Sequence, residues 1–407
     1  MKTKPVSVIG LGYIGLPTAA LLASQGYTVR GADIDRYVVD TINKGMVHIV
    51  EPDLDGFVKS AVESGRLAAS TSVHPGDVYM ICVPTPFHEG GPVPQPNLDY
   101  VLSATRSLVP LLKAGDLLIL ESTSPVGTTA QIAEVLRDAG IAVDDLHIAY
   151  CPERVLPGKI MTEMIENDRV VGGMTVEATR AVADFYRTFV RGDVFETDAK
   201  TAEMCKLTEN SFRDVNIAFA NELSLICDKE GIDVWKLIRL ANRHPRVNIL
   251  QPGTGVGGHC IAVDPWFIVS RDEANARLIR AAREVNDHKT DWVIEKIKTS
   301  AADARARIGR KPTIACFGLS FKPDIDDLRE SPALNVARAL KEHDYNVVAV
   351  EPNIQSHPEF VLMAADRAFE EADVLAVLVK HRQFLEESMQ AKLRSSDALD
   401  FCGCLKS

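Results

Sequence analysis

The sequence has no surplus of basic charge. Its 45 lysines and arginines are outnumbered by 56 aspartates and glutamates, for a formal net charge of -11. That excludes the positive field that draws in nucleic acid or an anionic membrane, so neither is expected as a partner. An anionic substrate has to be met by local positive groups. No C-x-x-C occurs among the eight cysteines, and only Cys402 and Cys404 stand close together. A zinc framework and a disulfide scaffold are both excluded, so no metal is expected and a reducing cytoplasm fits best. Low-complexity segments and short solenoid repeats are also lacking. One charge-free run exists, the 25 residues from Pro5 to Val29 behind Lys2 and Lys4. It has roughly the length of a membrane-spanning helix, and a signal peptide or anchor is its simplest reading. However, Gly10, Gly12, Gly15 and Pro17 interrupt it in a pattern with a different explanation.

What is present is a soluble globular composition, 46% hydrophobic and 25% charged over 407 residues, enough for two or three domains. Val6–Gly10, Thr28–Asp33, Val78–Val83 and Leu117–Leu120 read as short buried strands, with a helix from Leu16 to Gln25. Strands alternating with helical patterns predict a parallel, doubly wound sheet. The rhythm changes near Asp198. Ala199 to Lys229 contains no Gly or Pro and ends at Gly231, which predicts one helix of about 45 Å. A second long helix is expected from Glu273 to Ala306. Then come a strand at Thr313–Gly318, a helix at Pro332–His343, and strands at Asn346–Val350 and Val374–Val379. The expected class is α/β, with two Rossmann-like doubly wound domains joined by a long central helix. The domains are placed at 1–198, 199–306 and 307–407, and the two α/β ends form a weak pseudo-repeat.

Gly10-Leu-Gly12-Tyr-Ile-Gly15 is a G-x-G-x-x-G at a strand-to-helix turn. Gly10 permits the tight turn, Gly12 lets a pyrophosphate approach the backbone, and Gly15 lets helix and strand pack closely. The following helix offers its unpaired N–H groups to phosphate. The pattern alone is weak, but Asp33 closes the next strand where an acid takes the ribose hydroxyls. Its charge repels a 2′-phosphate, favouring NAD over NADP. Asp35 and Arg36 are further adenosine-side candidates, nearly as well read as solvated charges.

The segment Gly253-Thr-Gly255-Val-Gly257-Gly258-His-Cys260-Ile-Ala-Val-Asp264-Pro265 holds four glycines in six positions. Such a loop can wrap a phosphate or lie against a sugar. Cys82, Cys205, Cys227 and Cys316 read as small core hydrophobes. Cys260 sits in a polar loop, where nucleophile and filler are evenly balanced. Upstream, Arg243, His244 and Arg246 supply local positive charge suited to a diphosphate. On the long helix, Lys206, Asn210 and Arg213 lie at i, i+4 and i+7, on one face. Asn210, Arg213, Asn216 and Asn221 interrupt an apolar stretch. Buried polar groups need partners, and a polar ligand is one candidate.

These residues resemble the UDP-glucose/GDP-mannose dehydrogenase family, and the match runs over nearly the whole chain. It is carried by Gly10–Gly15, Val83-Pro-Thr85-Pro86, Glu121-Ser-Thr123, Cys151-Pro-Glu153-Arg154, Lys206–Asn210, Gly255–Asp264, and Phe321-Lys322 with Arg329. Three further segments are most similar to the bacterial branch acting on UDP-N-acetylmannosamine, which serves surface-polysaccharide assembly. They are His48–Pro52, Leu207–Asp214 and Asn242–Ile249. UDP-N-acetylglucosamine or UDP-glucose is the alternative substrate. The resemblance implies a four-electron oxidation at C6 with two NAD in sequence, through a Cys260 thiohemiacetal and thioester. It implies Lys206 as oxyanion stabiliser or proton shuttle, Asn210 beside it, and Glu153 or Asp264 as the residue that activates water. NAD contacts would be Gly10, Gly12, Tyr13, Ile14, Gly15, Asp33, Arg36, Thr85, Thr123 and, from the distal domain, Arg329. The UDP-sugar would be held by Arg154, Val155, Lys206, Asn210, Arg213, His244, Arg246, Gly257, Phe321 and Lys322. A homodimer or larger homo-oligomer through the long helix is implied as well. Cys402 and Cys404 are given no function and read as surface thiols. Two rival readings are a two-electron dehydrogenase with Cys260 incidental, and a non-catalytic NAD-binding sensor. Neither requires both an amine and a thiol at the sugar.

Overall fold

The computed structural model describes residues 5–88, 90–91, 93–258 and 260–405. Lys2 and Lys4, which precede the apolar run, and His259 of the glycine loop lie outside them. The described residues divide into two compact units. One comprises Met1–Glu209 with Trp266–Arg271, the other Asn210–Pro265 with Asp272–Ser407. The division falls within the helix Ala199–Glu230.

The apolar run from Pro5 becomes a strand, a turn and a buried helix. β1 (Val6–Ile9) is buried at every residue, as a strand covered on both faces must be. The turn leads into the helix Gly15–Ser24. Among the described residues no helix is long and apolar enough to cross a membrane. The other strands of the first unit's main sheet are β2 (Val29–Ala32), β3 (Leu67–Ser70), β4 (Val78–Ile81), β7 (Leu117–Leu120), β8 (His147–Tyr150), β9 (Arg169–Gly173) and β10 (Val194–Asp198). A small antiparallel hairpin, β5 (Phe87–His88) with β6 (Gln95–Pro96), stands apart. The sheet order is β10-β9-β8-β7-β4-β1-β2-β3. All pairs are parallel except β8 with β9. The order reverses on either side of β1, so the glycine turn lies at the topological switch point, where such sheets bind ligands.

The second unit holds a parallel sheet of β11 (Thr313–Phe317), β12 (Asn346–Val350), β13 (Val361–Leu362), β14 (Val374–Val377) and β15 (Leu399–Asp400). Its order is β13-β12-β11-β14-β15. Ser331 caps the helix Pro332–Glu342 by accepting Leu334 N–H at 3.3 Å, with Pro332 at its first position. The pseudo-repeat is visible bond by bond. Gly10 and Gly318 leave their strands at φ +88° and +93°. The next residue, Leu11 or Leu319, donates its N–H to the acid that ends the second strand, Asp33 or Glu351. The α/β class with two Rossmann-like sheets and a long central helix is therefore the fold found.

The long helix runs Ala199–Glu230 and stops ahead of Gly231, at φ +68°. The second long helix begins at Arg277 rather than Glu273. There Asp272 accepts the Asn275 backbone and side-chain N–H groups, forming a local turn. The two helices meet through buried polar contacts. Arg283 donates to Asp214 at 2.7 Å, Asn286 to Asp214 at 2.8 Å, and Asn221 to Asn286 at 2.9 Å. Cys404 corrects the expectation of a surface thiol. It is buried with Phe317, Phe384 and Leu393, because the chain after β15 folds back over the sheet. Cys402 beside it is half-buried.

Candidate active site

In the first unit, the glycine turn separates packing from access. A Cβ on Gly15 would stand 1.8 Å from Gly10 O, and one on Gly10 would stand 2.8 Å from Cys82 O. Both positions must be bare for helix and strands to close up. A Cβ on Gly12 would meet nothing within 4 Å. Packing does not require glycine there, so the open backbone suits a pyrophosphate. Asp33 accepts Leu11 N–H at 2.8 Å and Asp35 N–H at 2.9 Å, one on each oxygen, leaving acceptor capacity for a ribose diol. Asp35 caps the helix Arg36–Asn43 by accepting Tyr37 N–H, so its role is largely structural. Arg36 is exposed, while Tyr13 and Ile14 are half-buried. Thr85 and Thr123 come together through a 2.6 Å bond from Thr85 Oγ1 to Thr123 O.

Glu153 is buried with both oxygens engaged. One accepts its neighbour's N–H, from Arg154 at 2.7 Å, and the other pairs with Arg169 at 2.6 Å. Arg169 is itself 1% exposed. Around them, Glu121 accepts from Tyr186 at 2.6 Å and from Cys82 Sγ at 3.3 Å. Burial, reinforced by the Glu153 charge, pushes the Glu121 carboxyl up. Burial also pushes the Cys151 thiol up to about 12. The sequence reading missed Arg169 and Tyr186. A lone arginine opening an apolar strand was the available signal for the first. Arg154 pairs with Glu209 at 2.6 Å, Val155 packs against the core, and Lys206 is half-buried on the long helix. Glu51, from the His48–Pro52 segment, accepts the N–H groups of Gly158 and Ile160 at 2.8 Å. It thereby fixes the loop that follows Arg154.

In the second unit, Asn210 donates to Asp264 Oδ2 at 2.5 Å, and Asp264 is 2% exposed. Asp264 N–H donates to Cys260 O at 2.8 Å. This places the exposed Cys260 at the turn that opens the helix Asp264–Arg271. The root of the glycine loop is tied to both long helices. Gly253 N–H donates to Asn221 at 2.9 Å and Thr290 Oγ1 to Thr254 O at 2.9 Å. Asn221 thus finds its partners within the protein and not in a ligand, and Asn286 was the residue that sequence reasoning missed. At the tip, Cβ atoms on Gly257 and Gly258 would each stand 2.8 Å from Phe321, so the thiol loop lies against the Phe321 segment. Phe321 is half-buried and Lys322 exposed. His244 and Arg246 are exposed in a loop clasped by Asn242, which bonds both backbone groups of Ile249. Arg213 is exposed, unlike Asn210 on the same helix. Arg329 is held by a fork on Asp327. Among the described residues no group of three or more His, Cys, Asp or Glu side chains is arranged to hold a metal.

An open glycine at the switch point of a doubly wound sheet, with an acid at the end of the next strand, defines a dinucleotide-binding protein of the NAD type. Comparison with known proteins narrows the class. Three domain models match in succession, all described as UDP-glucose/GDP-mannose dehydrogenase family. The NAD binding domain matches residues 4–190, the central domain 200–288 and the UDP binding domain 315–407. The chain belongs to the UDP-glucose/GDP-mannose dehydrogenase family. It is 56% identical over 405 residues to the UDP-N-acetyl-D-mannosamine dehydrogenase of Escherichia coli K12, covering 94% of this chain and 95% of that protein. It is 53% identical over 395 residues to an NDP-N-acetyl-D-galactosaminuronic acid dehydrogenase of Ralstonia nicotianae, covering 94% and 92%. A solved UDP-D-ManNAc dehydrogenase from Pyrococcus horikoshii superposes with a TM-score of 0.88 at 36% identity, covering 99% and 96%.

Proposed function

We propose that this enzyme oxidises the C6 hydroxyl of UDP-N-acetyl-D-mannosamine to the carboxylate, giving the uronate for surface-polysaccharide assembly in the cytoplasm. The observation that carries the chemistry is the exposed Cys260 thiol, on a loop anchored by Asn221 and Thr290 beside the Asn210–Asp264 pair. The substrate assignment is supported by likeness to enzymes of that name. NAD, when bound, takes up hydride, once in each of two rounds. The Cys260 thiolate adds to the C6 aldehyde left by the first oxidation. The Lys206 ammonium stabilises the oxyanion that forms, with Asn210 beside it. After the second oxidation the sugar is a thioester on Cys260, and water positioned by Glu153 or Asp264 hydrolyses it, releasing acid and thiol. The NAD contacts are those of the glycine turn with Tyr13, Ile14, Asp33, Arg36, Thr85, Thr123 and Arg329. The UDP-sugar contacts are Arg154, Val155, Arg213, His244, Arg246, Gly257, Phe321 and Lys322. The domains are read as 1–198, 199–306 and 307–407.

A homodimer is part of this reading. Phe212, Phe219 and Ile226 are exposed at seven-residue spacing along the long helix. An apolar stripe of that period suits a helix–helix interface between copies. The test of function is to supply UDP-ManNAc, UDP-GlcNAc, UDP-GalNAc and UDP-glucose side by side and count NADH per sugar consumed. Two NADH and a preference for UDP-ManNAc are expected. One NADH per sugar supports a two-electron dehydrogenase, none supports a sensor, and preference for another sugar overturns the substrate assignment.

A further inference from the structure

Glu351 occupies the position in the second sheet that Asp33 holds in the first, yet it is sealed. It is 5% exposed. One oxygen accepts the N–H groups of Leu319 and Ser320 at 2.7 and 3.2 Å and faces His381 Nε2 at 3.0 Å. The other accepts Asn353 N–H at 3.0 Å. His381 is fully buried. Its Nδ1 accepts Asp324 N–H at 3.0 Å, so its proton belongs on Nε2, directed at the carboxylate. Asp324 lies in the left-handed region at φ +64°, a conformation that needs support in a residue with a side chain. Its carboxylate supplies a second tie, accepting Arg382 N–H at 2.9 Å. Burial works to raise the Glu351 carboxyl, but the His381 bond and the backbone N–H groups overcome it and leave the carboxyl below its ordinary range.

We infer that His381 is a positioning residue for the UDP part of the substrate. By bridging Glu351 and Asp324 it fixes both ends of the segment 318–324, which carries Phe321 and Lys322. The inference rests on the reading that Phe321 and Lys322 hold the UDP-sugar. His381 touches no reacting atom in this scheme. Its effect passes through the segment, and on through Phe321 to Gly257 and Gly258 of the thiol loop.

The test is calorimetric titration of UDP and, separately, NAD into the full chain, with thermal melting alongside. The variants are His381→Leu, His381→Gln, His381→Asn and Lys322→Ala. Removing the buried bonds of His381, to Glu351, Asp324 and the Asn353 side chain, in His381→Leu is expected to weaken UDP about tenfold or more, with NAD affinity unchanged. His381→Gln, which keeps a donor for Glu351, recovers part of the loss. UDP affinity at the wild-type level in His381→Leu, while Lys322→Ala weakens UDP, overturns the positioning role. So does a parallel loss of UDP and NAD binding, which marks a purely structural residue. If Lys322→Ala also leaves UDP binding intact, the segment does not hold UDP and the inference falls with that reading. Should His381→Leu fail to fold, the Gln and Asn variants decide. A loss confined to UDP supports the role, and wild-type affinity in both overturns it.

Discussion

At Cys260 and the residues around Glu153, single side chains carry sharply different chemistry. Cys260 is exposed, whereas burial pushes the thiols of Cys151 and Cys316 to about 12. Mild iodoacetamide at pH 8 is therefore expected to label Cys260 first and leave those two intact, as peptide mapping would reveal. Cys260→Ser is expected to bind UDP-sugar and NAD normally yet form no uronic acid in the steady state. Acid production at the wild-type rate would contradict the covalent route. The Glu153–Arg169 pair makes a different demand. Arg169→Met strands a buried carboxylate and is expected to cost about 3–5 kcal/mol of stability, read by urea unfolding. Glu153→Gln in the same background should recover part of it. Much of this scale was legible. Glycines at fixed spacing and a cysteine in a polar loop announce themselves, because few structural reasons put them there. Arg169, Asn286 and His381 do not, since their partners lie many residues away and only folding brings them together.

Among the elements, the long helix was the most legible, with its end found within one residue. Thirty-two residues without Gly or Pro leave little else to form. β9 and β10 were not foreseen: β9 has only two apolar side chains between Arg169 and a pair of glycines, and the exposed and charged residues of β10 break the apolar run that marks a buried strand. The second long helix carries Lys289, which is 2% exposed, donates to Ser224 at 2.9 Å, and lies 3.8 Å from the Trp292 ring centre. The ring face compensates the cation in part, yet burial pushes the amine down to about 7. The unfolded chain holds that proton up to its ordinary value of 10.5. Between pH 7 and 10.5 the unfolded state binds more protons, so stability from this group rises with pH. Lys289→Met is therefore expected to stabilise most below pH 7 and progressively less toward pH 10.5, as paired urea melts would measure. On the other long helix, Phe219→Glu places a charge in the apolar stripe. Sedimentation is expected to shift from dimer to monomer, and an unchanged mass would remove the stripe from the interface.

Across the molecule, two sheets of one design are put to two uses. The pseudo-repeat was only weakly legible, since Gly318-Leu-Ser-Phe321 preserves one glycine of the fingerprint and the shared bonds are backbone to acid. The acidic total charge argues that recognition of a nucleotide sugar depends on local cations such as Arg246 and Lys322, so Arg246→Ala is expected to raise KM for the sugar nucleotide by tenfold or more at about 1.5–3 kcal/mol per charge-assisted bond. Initial-rate kinetics would show it, with KM for NAD unchanged. The acid at Asp33 is expected to set cofactor choice for the entire enzyme. Equal turnover with NADP and NAD would refute it.

The closure of Glu351 also bears on redesign. Restoring glycines in the stretch after β11 would recreate the outline of a dinucleotide turn. The carboxylate that ought to greet the ribose would already be occupied by Leu319, Ser320, Asn353 and His381. Converting this half of the protein to a second cofactor carrier would thus have to begin at the histidine, with the glycines following.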